Sequence, residues 1–304
     1  MVEKFDFLHL KQTEHGKTDI SDFETVFTPI LWGSFLTGEN LEPYFQEKKG
    51  SKLAQKILRP PYRLLKRKFS GRLAVRLKNH FKKLRLVNQV KGKTKSLNIS
   101  QDLRKQTIFD LVKNSKGINI PSFNKERSKE TSIHGKIEGK VSDSDFQEGV
   151  KNCFEKTKKE LMENLDRDLI MAWFGIADWM GHVYRGDMEK MKETYKKLDD
   201  FAGKVKKEFD GLVLTVSDHG MKRLGDYGDH TDMNYGYYSS NKKLGLKNPK
   251  ITDFYEIIRD VLSDNFEPEK YSHEELEERE SEEEFEGNEE EEIKKRMEEL
   301  GYFK

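Results

Sequence analysis

The sequence predicts an α/β fold, with a mostly parallel sheet flanked by helices. Three observations carry this. LIMAWFGIA (169–177) is a short, nearly continuous apolar run, the pattern of a strand buried on both faces. A charged stretch with one apolar face follows at 186–211, and GLVLTVSD (211–218) is a second apolar run rich in β-branched residues. Strand, helix and strand at this spacing predict a βαβ unit, and hence parallel pairing.

Size and composition bound the rest. The chain has 304 residues and 35.7 kDa, enough to bury a sizeable core. Charged residues make up 37%, against about 25% in an average soluble domain, so the core must come from a subset of the chain. No run approaches the roughly 18 apolar residues of a membrane helix, and MVEKFDFLHLKQ has no apolar signal core. Cys153 is the single cysteine, which excludes an intramolecular disulfide framework and suits a reducing compartment. The expected location is therefore cytoplasmic. The same figures exclude collagen, coiled-coil arrays and disulfide-stapled mini-proteins.

The elements follow in chain order. FTPILWGSFLTGEN (27–40) reads as a helix with Thr28 as N-cap, Pro29 at the first helical position and Gly38 at the stop. Residues 48–95 hold 18 Lys/Arg and no Asp or Glu. Leu73, Leu77, Phe81 and Leu84 recur there at helical spacing, interrupted upstream by Pro60-Pro61 and Gly71. This predicts a basic helical insertion at about 41–106. Its cations would attract a polyanion, either nucleic acid or anionic lipid; a solvated cap, or a partner for the acidic tail, is the plain alternative. QTIFDLVKNSKGINIPSF (106–123) reads as a helix, a turn at Lys116-Gly117 and a short strand.

Met188, Met191, Tyr195, Leu198, Phe201, Ala202 and Val205 mark one face of the helix at 186–211. ITDFYEIIRDVLSD (251–264) is a late helix. From Asp264 to Glu299 there are 18 Asp/Glu against five Lys/Arg, a self-repelling block expected to be disordered or loosely helical. The closing EIKKRMEELGYF reads as a short helix stopped by Gly301. The domain reading is a catalytic-type α/β domain over 1–262 and an acidic tail over 263–304.

Chemistry concentrates at strand ends, where sites of open parallel sheets lie. One apolar run ends in Asp178-Trp-Met-Gly-His182, the other in Ser217-Asp218-His219-Gly220, and His230 follows. Zinc and similar ions take imidazole and carboxylate ligands. If a helix starts after the first strand, Asp178 and His182 share a face at i and i+4. Asp218 and His219, being adjacent, suit a bend at a strand end. Singly, a DxxxH is usually a helix-surface pair and a DHG a turn. Their coincidence at two strand ends, with a third histidine, points to metal. Thr28 at a helix start could attack a phosphoryl or sulfuryl group, because the helix N-terminus favours an anion. From that segment alone, the reading of Thr28 as no more than a helix cap wins.

Together, Thr28-Pro29-x-x-Trp32-x-Ser34-x-x-Thr37-Gly38, Asp178-x-x-x-His182, Ser217-Asp218-His219-Gly220-Met221 and His230 resemble the alkaline phosphatase superfamily. The likeness is to its type I phosphodiesterase/nucleotide pyrophosphatase branch. It covers roughly 1–40, 107–124 and 165–262, leaving the basic insertion and the acidic stretch without counterpart. The resemblance implies an alkaline phosphatase-like fold and a site with two divalent metal ions, usually zinc, with manganese as the alternative. It implies Thr28 as the nucleophile that forms a phospho-enzyme. Asp178, His182 and His230 would hold one metal, and Asp218, His219 and Thr28 the other. It further implies an N-terminal strand ending in another metal-binding Asp. MVEKFDF shows no such strand, and none of Asp6, Asp19 and Asp22 takes that role.

The expected function is hydrolysis of a small phosphorylated substrate: a phosphodiester, pyrophosphate or phosphomonoester. Thr rather than Ser at position 28 weighs against a mutase. The absence of a Cys/Ser-x-Pro-x-Arg pattern weighs against a sulfatase. The competing reading is a degenerate relative that binds nucleic acid or an anionic membrane. No oligomeric state is implied.

Overall fold

The computed structural model describes residues 1–47, 99, 103, 105–124, 131–230, 233–274 and 276. Residues 48–95, where the basic helices are expected, the acidic block beyond residue 276 and the segment expected to form a terminal helix lie outside the described residues. The chain divides into two compact units: residues 1–40 with 97–303, and residues 41–96 with 304. In the second unit, α3 (Glu42–Glu47) is the described element.

The first unit mixes helices and strands, with a small parallel sheet, as an α/β fold allows. In chain order it holds α1 (Leu8–Lys11), β1 (Glu14–Asp19), α2 (Thr28–Thr37), β2 (Ser115–Ile118), α4 (Ile133–Ile137), α5 (Asp143–Met162) and β3 (Leu169–Ala172). Then come α6 (Ile176–Tyr184), α7 (Met188–Glu208), β4 (Leu214–Ser217), β5 (Lys222–Leu224), β6 (Tyr227–Asp229), β7 (Tyr235–Ser240) and α8 (Asp253–Leu262).

The parallel pair is β2 with β3, from Ser115 opposite Leu169 to Ile118 opposite Ala172. The βαβ crossover therefore runs through α4 and α5, not through α7. On the far side of α7, β4 pairs antiparallel with β7, which pairs antiparallel with β1. The expectation of a mostly parallel sheet is corrected accordingly: of the four ladders among the described residues, one is parallel. The cause lies in YGYYSS. Gly236 lets β7 lie so close to β4 that an added Cβ would sit 2.1 Å from the Ser217 carbonyl oxygen. A pairing this close occupies that side of β4. The two apolar runs are also less buried than their composition suggests. All four residues of β3 and of β4 stay partly exposed, because each strand is paired on one side among the described residues.

Local corrections have local causes. The expected turn at Lys116-Gly117 lies inside β2, where the Phe109 ring covers Gly117 so closely that a Cβ would meet it at 2.8 Å. The expected helix from 106 is a single 3-10 turn, Ile108–Asp110, closed by a Thr107/Asp110 capping box. In α2, Phe27 is the N-cap and Thr28 the first helical residue; Gly38 ends the helix in the left-handed conformation, φ 71°.

The long helices follow their patterns. Asp187 caps α7 by accepting a bond from the Lys190 amide, and Ser142 caps α5 through the Asp145 amide. Phe154 of α5, Phe201 of α7 and Phe174 beyond β3 form an edge-on aromatic cluster, with centroids 5.4–6.0 Å apart. Phe35 of α2 stacks on Phe254 of α8 at 5.3 Å. The Phe35–Phe254 contact holds α2, which carries Thr28, against α8.

Candidate metal centre

Asp178 and His182 stand one turn apart on α6, so their side chains share a face. His182 Nε2 lies 3.3 Å from Asp178 Oδ1. Asp218 and His219 follow the last residue of β4, where the chain bends. The Ser217 hydroxyl donates to the His219 carbonyl at 2.7 Å, and the Gly220 amide donates to the Tyr235 carbonyl at 2.8 Å. This bend turns both consecutive side chains inward. His219 Nε2 is 3.5 Å from Asp218 Oδ2 and 4.0 Å from Asp178 Oδ1. His230, which follows β6, is fully buried; its ring stacks on His219 at 3.9 Å and meets His182 edge-on at 4.9 Å.

Thr28 joins from α2. Its Oγ1 lies 3.3 Å from His219 Nε2, and it is 96% shielded from solvent. All six residues expected from sequence thus meet in one place. The family resemblance implies two metal sets; in the structure the six side chains lie together, with Asp178 facing both His182 and His219. Asp178, His219 and His230 each offer a ligand atom within 4.8 Å of the others.

The other hydroxyls of the first motif turn away. Ser34 and Thr37 donate back to the Ile30 and Gly33 carbonyls of their own helix. The α2 N-terminus offers an anion less than expected. Pro29 has no N–H, and the Ile30 and Leu31 amides both bond to the Phe27 carbonyl. The Thr28 amide is the first-turn N–H outside these bonds.

The donor set suits a divalent cation. His182 Nδ1 lies 3.0 Å from the Gly228 carbonyl and His219 Nδ1 lies 3.0 Å from that of Gly220. A carbonyl only accepts, so both Nδ1 atoms carry hydrogen and both Nε2 atoms face the carboxylates. In a neutral ring, each Nε2 then presents a lone pair toward carboxylate oxygen. Asp178 Oδ1 and Asp218 Oδ2, closed off from solvent, accept no well-formed hydrogen bond. Lone pairs converging in a dry site call for positive charge.

Charge is already unevenly shared. Burial pushes Asp218 up to about 6, against the opposing pull of His219. Burial acts on Asp178 in the same sense, but His182 and His219 together overcome it and hold that carboxyl well below the usual range. His182 is raised despite its burial, chiefly by Asp178. His230 is driven well below the ordinary histidine value by burial and by its two imidazole neighbours. A neutral imidazole beside two ionised carboxylates is the form a metal ligand takes.

Sequence reasoning gave no role to Gly220, a member of the second motif, and did not name Gly228; their carbonyls hold the two imidazoles. Gly228 lies two residues before His230, and backbone acceptors leave no side-chain signal.

Among the described residues, no helix is long and apolar enough to cross a membrane. No curated protein and no solved structure matches the chain. A family model described as Type I phosphodiesterase / nucleotide pyrophosphatase matches residues 73–300. The match takes in Asp178, His182, Asp218, His219 and His230, and begins after Thr28. It also runs through 73–106 and the whole acidic stretch from Asp264 to Glu299, segments for which the likeness read from sequence offers no counterpart.

Proposed function

The chain belongs to the type I phosphodiesterase/nucleotide pyrophosphatase family, within the alkaline phosphatase superfamily, and from that premise we propose a divalent-metal-dependent hydrolase of phosphoric esters with Thr28 as its nucleophile. The observation that carries this reading is the convergence of Thr28 with two carboxylates and three imidazoles in a site nearly closed to water.

Asp178, His182, Asp218, His219 and His230 would hold the metal, zinc before manganese given three imidazoles. When bound, divalent ions supply positive charge that lowers the pKa of a nearby hydroxyl and offsets charge on phosphoryl oxygens. Thr28 Oγ1 gives up its proton, with the His219 Nε2 lone pair 3.3 Å away to receive it, and bonds to phosphorus as the P–O bond to the leaving group breaks and that oxygen takes up a proton. Water then hydrolyses the Thr28 ester, regenerating the hydroxyl and releasing phosphate from a monoester or a phosphomonoester from a diester. His182 and His219 are held in one tautomer by Gly228 and Gly220, so their Nε2 atoms stay aimed inward. Burial of Thr28 and His230 keeps competing water from the nucleophile. The substrate is a small phosphodiester, pyrophosphate or phosphomonoester. The 18 cations of residues 48–95 support a second, salt-sensitive attraction for polyanions.

The test is hydrolysis of an activated aryl phosphodiester by the zinc-loaded chain and its Thr28→Ala variant. Turnover that disappears in the variant while metal content is kept supports the reading. Undiminished turnover in Thr28→Ala overturns the nucleophile assignment.

A further inference from the structure

The β5–β6 hairpin joins two of the three imidazoles, with His219 before it and His230 after it. It also grips α6, which carries the third. The grip has two levels. At the end of α6, the Gly186 amide donates to the Asp226 carbonyl at 2.8 Å, and Arg185 Nε and Nη2 both reach the Met221 carbonyl at 3.3 Å. One turn earlier, the His182 imidazole donates to the Gly228 carbonyl.

That second level depends on two glycines and one thioether. A Cβ on Gly228 would sit 2.4 Å from the Gly181 carbonyl oxygen and 2.4 Å from Met221 Sδ. A Cβ on Gly181 would sit 2.5 Å from the same sulfur, with no other atom nearer than 3.2 Å. Neither glycine has a positive φ, so glycine is needed there for space, not for conformation. The Met221 sulfur fills the room that both missing side chains leave. Backbone meets backbone across this seam, and only then does the Gly228 oxygen reach His182.

We propose that Gly181, Met221 and Gly228 form an interlocked seam whose function is to position His182, fixing its Nδ1–H tautomer and aiming Nε2 at Asp178. They are positioning residues, since none of their side chains reaches the cluster itself. The inference rests on the metal-site reading only for its effect on metal binding, because the Nδ1–H bond to the Gly228 carbonyl holds the ring in place whether or not metal is present.

The two glycines fail in different ways, and that gives the test. At Gly181 the obstacle is a movable thioether; at Gly228 it is also backbone. Gly181→Ala should therefore weaken zinc binding, and Met221→Ala should restore it. Gly228→Ala should weaken zinc binding by about 10-fold or more, the usual effect of losing a ligand's outer partner, and Met221→Ala should not restore it. Alanine favours helix over glycine, so a loss at Gly181→Ala cannot come from helix propensity.

The measurements are zinc affinity by competition with a chromophoric chelator, thermal unfolding, and nitrogen NMR of His182 in metal-free protein. Wild type should show Nδ1 protonated, and Gly228→Ala should lose that signature. Wild-type zinc affinity in Gly228→Ala, or rescue of both glycine variants by Met221→Ala, overturns the seam. If wild type binds no zinc, the proposed function falls, and the NMR signature alone decides the seam: its persistence in Gly228→Ala overturns it. If Gly228→Ala does not fold, the Gly181→Ala pair decides. Wild-type affinity and signature in Gly181→Ala then count against the inference, and losses reversed by Met221→Ala count for it.

Discussion

Asp260 and Asp218 are both carboxylates drawn out of water, and they meet opposite surroundings. Around Asp260 the protein supplies donors in full. Arg259 reaches Oδ1 through Nε at 3.0 Å and Nη2 at 2.8 Å, Lys270 reaches Oδ2 at 2.8 Å, and the Tyr271 hydroxyl donates to the same oxygen. Burial alone would raise this carboxyl, but the bonds from Lys270, Tyr271 and Arg259 hold it at about 2. Around Asp218 and Asp178 the neighbours are the Thr28 hydroxyl, which bonds to Asp218, and imidazoles, of which His182 and His219 commit Nδ1–H to a backbone carbonyl. One oxygen of each acid is left without a well-formed bond. The first arrangement is complete and ties the 268–271 turn to α8. The second is incomplete by one or more positive charges. Buried acids that are matched stabilise, whereas buried acids left converging and unmatched mark the place where something must bind.

Experiments that exchange these roles can break the comparison. The largest effect expected is on chemistry. Thr28→Ala should bring phosphodiester turnover to the uncatalysed background. Ser34→Ala and Thr37→Ala should leave it within the wild-type range, because those hydroxyls serve their own helix; steady-state rates on an aryl phosphodiester read all three.

Next comes stability at the matched acid. Asp260→Ala strips the buried Tyr271 hydroxyl of its acceptor and should cost about 1–3 kcal/mol in denaturant unfolding, with zinc content unchanged. At the unmatched acid the sign differs. Asp218→Asn in metal-stripped protein at neutral pH should not lower the unfolding temperature, because burial already disfavours the charge it removes. A clear loss of stability there would erase the distinction between the two regions.

The smallest effect is in pH. An unfolded Asp titrates near 3.9, above the folded Asp260 at about 2. The unfolded chain then binds more protons in this window. The contribution of Asp260 is present above about pH 4 and fades as pH falls through about 2. Unfolding temperatures of wild type and Asp260→Asn should therefore converge as the pH drops from about 4 toward 2.

What could be read from sequence follows how local the determinants are. Helix α7 has a cap at Asp187 and an apolar face, and α8 shows the same period, so both appear at their expected places. Helix α5 carries Phe146, Val150, Phe154, Thr157 and Leu161 at comparable spacing, a signal of the same kind in a stretch where the sequence analysis places no element. Strand β1, EHGKTD, has no apolar residue and exists because β7 pairs with it along six residues. Strand β7, YGYYSS, reads as an aromatic-rich turn when taken alone. The contact of Asp178 with His182 was legible because i and i+4 share a helix face. The approach of His230 to His219 was not, since it depends on a hairpin held by two glycines and a thioether.

The unmatched cluster is expected to hold a divalent cation. Zinc titration into metal-stripped protein, followed calorimetrically, tests it most directly. Wild type should bind zinc stoichiometrically, with binding weakened by about 10-fold or more in His219→Ala and in Asp178→Asn and unaffected by Asp260→Asn. Substoichiometric zinc in wild type, or equal binding by wild type and His219→Ala, would contradict it.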